Sequence, residues 1–243
     1  MSALVLTATQ VVVGSADLTP FTGQISQHGK VSMKETTTFG SGGYYCEVPT
    51  IQQFTTNLSG FSDLSATGIN SLILPTAVGI QYATYAAATG GTTAGDPVVF
   101  SRGYLSDETP YGGNVGDVAK FNMAMTSDTA MVGGFVLAPL VLRGAFTGTS
   151  VTMAGPTATQ RVYAALFVTG AVGTNLAVTI ESAPASNFAS PTTRFTFTTV
   201  SAVGWQWATP VSGAITDGFW RAKCTVGSST FTWACHVGVL NNI

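Results

Sequence analysis

The sequence predicts an all-β protein. Apolar and polar residues alternate with period two through most of the chain, and helical periodicity is nearly absent. The commonest non-apolar residues are Thr, Ser and Gly, which suit pleated, half-buried surfaces and tight turns. The chain has 243 residues, 45% of them hydrophobic, enough to bury a substantial core in one large or two ordinary domains. Only 8% are charged, against the roughly 25% usual for a free domain. Two readings follow: a subunit that hides much of its surface in an assembly, or a secreted β-domain with a weakly charged Thr/Ser surface. Nine basic and eleven acidic residues leave a net charge of −2, so the broad basic footprint of a nucleic-acid binder is missing.

The opening MSALVLTATQVVVG lacks a basic start, and Thr7, Thr9 and Gln10 interrupt its apolar run, so no secretory signal is expected. No apolar stretch approaches the roughly 20 residues a membrane-spanning helix needs. In GQISQHGKVSMK, Ile25, Val31 and Met33 share one face and His28, Lys30, Ser32 and Lys34 the other, which predicts a strand with one buried face. The following KETTTFGSGGYY, residues 34–45, joins two charges and a threonine run to a glycine-rich hinge and two tyrosines. LSATGINSLILP, residues 64–75, is the best helix candidate; Pro75 ends it after barely two turns. KFNMAMTS repeats the strand pattern, with Phe121, Met123 and Met125 against Lys120, Asn122 and Thr126.

From RVYAALFVTG onward, short strand-like runs alternate with Gly, Pro, Asn and Asp turns, the spacing of a β-sandwich. The expected boundary lies in the small-residue stretch between Gly144 and Gly155, giving domains 1–147 and 148–243. At the C-terminus, Trp220, Ala222, Cys224 and Val226 share one face of a strand and Phe231, Trp233, Cys235 and Val237 one face of the next. A hairpin folded at GSST matches the two faces and sets Cys224 opposite Cys235 or opposite Trp233. The register admits a disulfide, but two buried thiols is the plainer reading. With Cys46 the cysteines number three, at no metal-ligand spacing.

Groups that could converge for catalysis are scarce. His236 adjoins Cys235, so on one strand their side chains leave opposite faces and form no local Cys-His pair. Asp107 and Glu108, in the turn-rich SDETPYGG, read as solvated loop carboxylates rather than an acid-base pair. GSGGYY and TGGTTAG lack the lysine and the strand-to-helix setting of a phosphate loop. No catalytic residue, metal ligand or cofactor is expected, and the chain is expected not to be an enzyme. Trp205 and Trp207, two apart in GWQWAT, are the candidates for stacking on sugar rings; with Trp220 and Trp233 they also fit a shared aromatic core.

Three stretches carry a family resemblance. VVVGSADLTPFTGQISQHGKVSMKETTTFGSGGYY resembles the opening of the tail tube (major tail) proteins of long-tailed, non-contractile, siphovirus-type phages, in which a V-G-x-x-D-L-T-x-F strand and turn leads into a K-E-x-T-x-F-G-S-G-G loop. FSRGYLSDETPYGGNVGDVAKFNMAMTSD is similar to a second segment of that family, and the chain from QRVYAALFVTG to FWRAKCTV to its appended immunoglobulin-like or carbohydrate-module-like sandwich. The resemblance implies a tube domain over 1–147, a β-sandwich or barrel whose long hairpins close into a ring, with a sandwich over 148–243 displayed outside. It implies stacked hexameric rings forming a virion conduit for DNA ejection, assembled in the host cytoplasm. The implied partners are other copies of the chain and the tape-measure, tail-terminator and distal-tail proteins, with DNA passing unbound and no membrane. The alternatives are a capsid decoration protein and a carbohydrate-binding virion adhesin.

In the family, the loop after the first long hairpin packs on a neighbouring ring. Lys34, Glu35, Thr36, Thr37, Thr38, Phe39, Gly40, Ser41, Gly42, Gly43, Tyr44 and Tyr45 match its position. The resemblance makes Phe39, Tyr44 and Tyr45 apolar anchors, with Lys34 and Glu35 as charge partners.

Overall fold

A computed structural model describes residues 9–36, 47–63, 79–173, 175–227 and 229–241. The fold class is all-β: the described residues form strands and connecting turns without a helix. The helix expected over 64–75 lies outside the described residues. The N-terminal strands are β1 (Gln10–Val13), β2 (Ala16–Asp17), β3 (Thr22–Glu35), β4 (Glu47–Phe61), β5 (Gln81–Ala87) and β6 (Pro97–Gly112). Next come β7 (Lys120–Ser127), β8 (Val132–Arg143), β9 (Phe146–Thr147), β10 (Val151–Thr152), β11 (Gln160–Val172) and β12 (Ala177–Ala183). The chain closes with β13 (Thr192–Thr196), β14 (Gly204–Trp207), β15 (Val211–Ser212), β16 (Phe219–Thr225) and β17 (Thr230–Asn241).

These strands form two compact units, and neither border is the expected division at residue 147. The first unit takes the chain up to Pro20, Tyr82–Ser101 and everything from Val132; the second takes Phe21–Gln81 and Arg102–Met131. The physical reason is pairing. β8, expected to close an N-terminal domain, is hydrogen-bonded along β17 from Gly134 opposite Gly238 to Arg143 opposite Phe231. A Cβ on Gly134 would stand 2.1 Å from the Val237 carbonyl oxygen, so only glycine allows that approach.

In the first unit one antiparallel sheet runs in the order β14-β11-β17-β8-β6-β5-β1-β2. It curls on itself. Val12 of β1, Tyr85 of β5, Phe100 of β6, Val136 of β8, Phe167 of β11 and Ala234 of β17 all meet in one apolar cluster, with Trp205 and Trp207 of β14 packed against it. The opposite face of β11, β17 and β8 packs on a second sheet, ordered β10-β16-β12-β13 with β9 also on β16. Leu166, Val168, Trp233, Cys235 and Val237 here meet Val178, Ile180, Trp220 and Cys224. Adjacent residues of one strand therefore enter different cores: Leu166 the sandwich core and Phe167 the curled-sheet core.

The expected terminal hairpin is replaced by an arch between sheets. β16 pairs with β12, β10 and β9, whereas β17 pairs with β11 and β8. The two apolar faces do meet, but across the sandwich rather than side by side in one ladder. Cys224 is thus opposite neither Cys235 nor Trp233, and both cysteines are free, buried thiols. Burial pushes both thiols above the ordinary cysteine range. Trp220 and Trp233 are fully buried, and the Trp220 indole N–H donates to the Met153 carbonyl at 3.2 Å.

A polar set ties the second sheet to its neighbouring loop. Ser182 Oγ donates to Asp217 Oδ2 at 2.6 Å, while Arg194 donates to Ser182 Oγ at 2.7 Å and to Asp217 Oδ2 at 2.8 Å. The Ser182 hydrogen bond and the Arg194 guanidinium hold the Asp217 carboxyl below its usual range, against the opposing effect of burial. These three hydrogen bonds satisfy the buried Ser182 hydroxyl and Asp217 Oδ2.

Because β11 serves both cores, the first unit should unfold as one. Leu166→Ala and Phe167→Ala, which empty opposite faces of the same strand, should each cost roughly 2–5 kcal/mol. In urea both should shift a single transition seen alike by tryptophan fluorescence and far-UV circular dichroism. A variant that splits the transition in two would contradict the shared-wall account.

Candidate functional site

The second unit is a four-stranded antiparallel arrangement in which β3 pairs with β4, β4 with β7, and β7 with the C-terminal part of β6. β7 alternates as its sequence predicts. Leu58, Leu105, Phe121, Met123 and Met125 are buried. On the other face, Gln24, Ser26, Asn57, Ser59, Asp107 and Asn122 line a shallow hollow of about 240 Å³. Asp107 and Glu108 lie inside β6 rather than in a turn, opposite Ala124 and Met123 respectively. They therefore leave opposite faces, and burial raises the Glu108 carboxyl above its ordinary range. They form no acid-base pair.

β3 and β4 outrun their neighbours. β7 accompanies β4 only from Thr55 to Phe61. Beyond that point Gly29–Glu35 and Glu47–Phe54 continue as a ribbon of two strands, to which no other described strand pairs. At about 3.4 Å per residue this ribbon extends roughly 20 Å. Two strands alone are marginal in water. The sequence places Val31 and Met33 on a buried face. In the structure they are 41% and 50% exposed. Glu35 stands opposite Glu47, a like-charge pair that weakens the ribbon's end.

Of the residues matched to the stacking loop, Lys34 and Glu35 end β3 and Thr36 follows it, all exposed. Thr37 to Tyr45 lie outside the described residues. The ribbon is the feature sequence reasoning missed. Period-two alternation reports which face a residue takes but not whether anything packs over that face.

Trp205 and Trp207 stand far from this ribbon in sequence and belong to the first unit. Both are partly buried against the curled-sheet core, Trp207 with its ring centroid 5.4 Å from Phe100 and 6.2 Å from Tyr163. Their packing face is an interior one. His236 lies in the same core, its ring 4.2 Å from Tyr85, 5.6 Å from Phe167 and 6.2 Å from Phe100. Neither ring nitrogen has a hydrogen-bond partner there. Among the described residues no three His, Cys, Asp or Glu side chains gather as a metal site.

Comparison with known proteins gives no matching family model and no match among curated proteins. Among solved structures the chain is similar to one from the tail of an empty GTA particle refined helically with C6 symmetry. That match has a TM-score of 0.35 and 12% identity, covering 50% of this chain and 92% of the other. A chain from the virion of a native gene transfer agent particle matches with the same TM-score and identity, over 50% and 93%. The SPP1 Dit protein, a hub adsorption apparatus component of phages infecting Gram-positive bacteria, matches at TM-score 0.38 and 9% identity, over 96% and 99%. Likeness at these TM-scores decides no function, and the reading below rests on the residues.

Burial lowers the His236 pKa to about 3 from an ordinary 6.5. Between those values the unfolded chain binds a proton that the folded chain excludes. This contribution is therefore fully favourable above pH 6.5 and falls as pH drops toward 3, by up to about 1.4 kcal/mol per pH unit. His236→Leu should flatten the acid limb of the stability curve in that window, measured by urea midpoints at successive pH values. Parallel curves for the two proteins would refute the assignment.

Proposed function

We propose that this chain is a structural, non-catalytic virion protein of a phage tail, which joins copies of itself into rings that stack as the tail tube. The observation that carries the reading is the β3–β4 ribbon, to which no other described strand pairs and on which Val31 and Met33 are exposed. Such a ribbon is an uncovered template for strand pairing, and a second copy supplies what it lacks. A charge content of 8% over the whole chain suits a subunit that hides much of its surface in partners. The family resemblance of the first 45 residues points to the same ribbon as the wall of a ring. In that reading the rings are sixfold, DNA leaves the capsid through their lumen, and the tape-measure, tail-terminator and distal-tail proteins are the further partners. A net charge of −2 suits a lumen past which phosphates slide without being held.

Negative-stain microscopy over a range of concentrations should show rings or hollow tubes. Val31→Asp combined with Met33→Asp, at exposed positions that cost about 0.5 kcal/mol or less, should abolish them while leaving the circular dichroism and urea midpoint unchanged. Deleting Phe39 to Tyr45 should leave rings and remove long tubes. Tubes undiminished in the double variant would overturn the proposed role of the ribbon.

A further inference from the structure

Arg102, Arg194 and Arg221 each meet a carboxylate, Asp128 at 3.2 Å, Asp217 at 2.8 Å and Glu181 at 2.7 Å. Arg143, at the end of β8, meets none among the described residues. Its guanidinium carbon stands 4.3 Å from the ring centroid of Phe146 on β9 and 5.0 Å from that of Trp233 on β17. The two rings lie 5.8 Å apart at 80° to one another. Ring faces attract a cation without neutralising it. Of the guanidinium donors, Nη2 is taken by the Pro139 carbonyl.

Two N–H groups of this box have no acceptor. Arg143 Nε and Trp233 Nε1 are both buried, and neither has a hydrogen-bond partner. Both atoms only donate, so neither can serve the other. The acidic groups whose charges bear on Arg143 are the Cys224 and Cys235 thiols. Burial pushes both thiols up, so they stay neutral near neutral pH and leave the cation uncompensated. The Cys224 thiol already donates to the Gly144 carbonyl at 3.3 Å. Burial also draws the Arg143 pKa below its ordinary value, as expected of a charge taken from water without a partner.

We infer that Arg143 and Trp233 together hold a small monovalent anion, which accepts from the two buried N–H groups and supplies the missing counter-charge. The inference goes beyond the tail-tube reading and does not rest on it. The chemistry of the box selects the ligand. A water accepting from these donors would still need acceptors for its own two protons, whereas an anion needs none. The walls are aromatic rings and neutral thiols, which replace lost hydration poorly. Strongly hydrated anions such as fluoride are therefore disfavoured, and bromide or iodide enters most readily. Arg143 is half-buried, and Val141 and Leu142 before it are 47% and 62% exposed, which puts the site at the rim of the sandwich.

The test melts the full chain at constant ionic strength while sodium bromide replaces sodium fluoride. The readout is the Tm of the unsubstituted protein minus that of Arg143→Met, so that general salt effects cancel. This difference should rise saturably, by about 2–4 °C once bromide is in tenfold excess over its dissociation constant. Trp233→Phe keeps an aromatic ring and loses the N–H, and should show a smaller bromide response than the unsubstituted protein. Crystals of the unsubstituted protein soaked in bromide should give an anomalous peak in contact with Arg143 Nε and Trp233 Nε1. A Tm difference that ignores bromide would overturn the site, as would anomalous peaks confined to other positions. An undiminished response in Trp233→Phe would overturn the sharing of the anion between the two residues. Should Arg143→Met fail to fold, the Trp233→Phe comparison and the soaked crystals still decide.

Discussion

The first unit depends on one wall of strands buried on both sides. β11 and β17 are hydrogen-bonded along nearly their whole length, and every second residue of each enters a different core. A wall used twice cannot shift register without turning both sets of side chains inside out, which pins the pairing far more strongly than one buried face would. It also explains the composition of these strands. RVYAALFV and FTWACHVGV read as nearly continuous apolar runs because neither face meets water. The expense of this economy appears at His236, whose imidazole must stay neutral among Tyr85, Phe100 and Phe167.

The second unit is arranged on the opposite principle. Its strands bury one face and leave the other polar, and its ends are unfinished. At one end β3 and β4 continue after β7 has stopped; at the other the β6–β7 turn holds Val115 and Val118 clear of the sheet. Uncovered apolar residues at both ends of a sheet are a liability for a solitary protein and a means of joining for one that polymerises.

Much of the local structure was legible in the chain. Alternation identified β3, β7, β11, β12, β16 and β17, and it assigned Phe121, Met123 and Met125 to a buried face because side-chain direction along a strand follows directly from sequence parity. It also found that the faces of β16 and β17 belong together. It misread how they meet, since a short connection serves a hairpin and an arch between sheets alike, and only the partners β12 and β11 decide between them. The candidate surface was half legible. The exposed Val31 and Met33 were read as core, and Thr37 to Tyr45 of the loop expected beside them lie outside the described residues.

The sequence by itself determined that this protein is all-β, poor in charge and organised in alternating strands, because those properties belong to residues and their immediate neighbours. Which strand lies beside which, where the units divide and which apolar residues stay uncovered were decided by tertiary structure alone. Each is a matter of non-local pairing. β8 reaches β17 across almost a hundred residues of intervening chain, taking strands from both sides of the expected boundary into one sheet. β4 finds β7 over a shorter extent than it finds β3, and that difference in length leaves part of β3 and β4 as a two-stranded ribbon among the described strands.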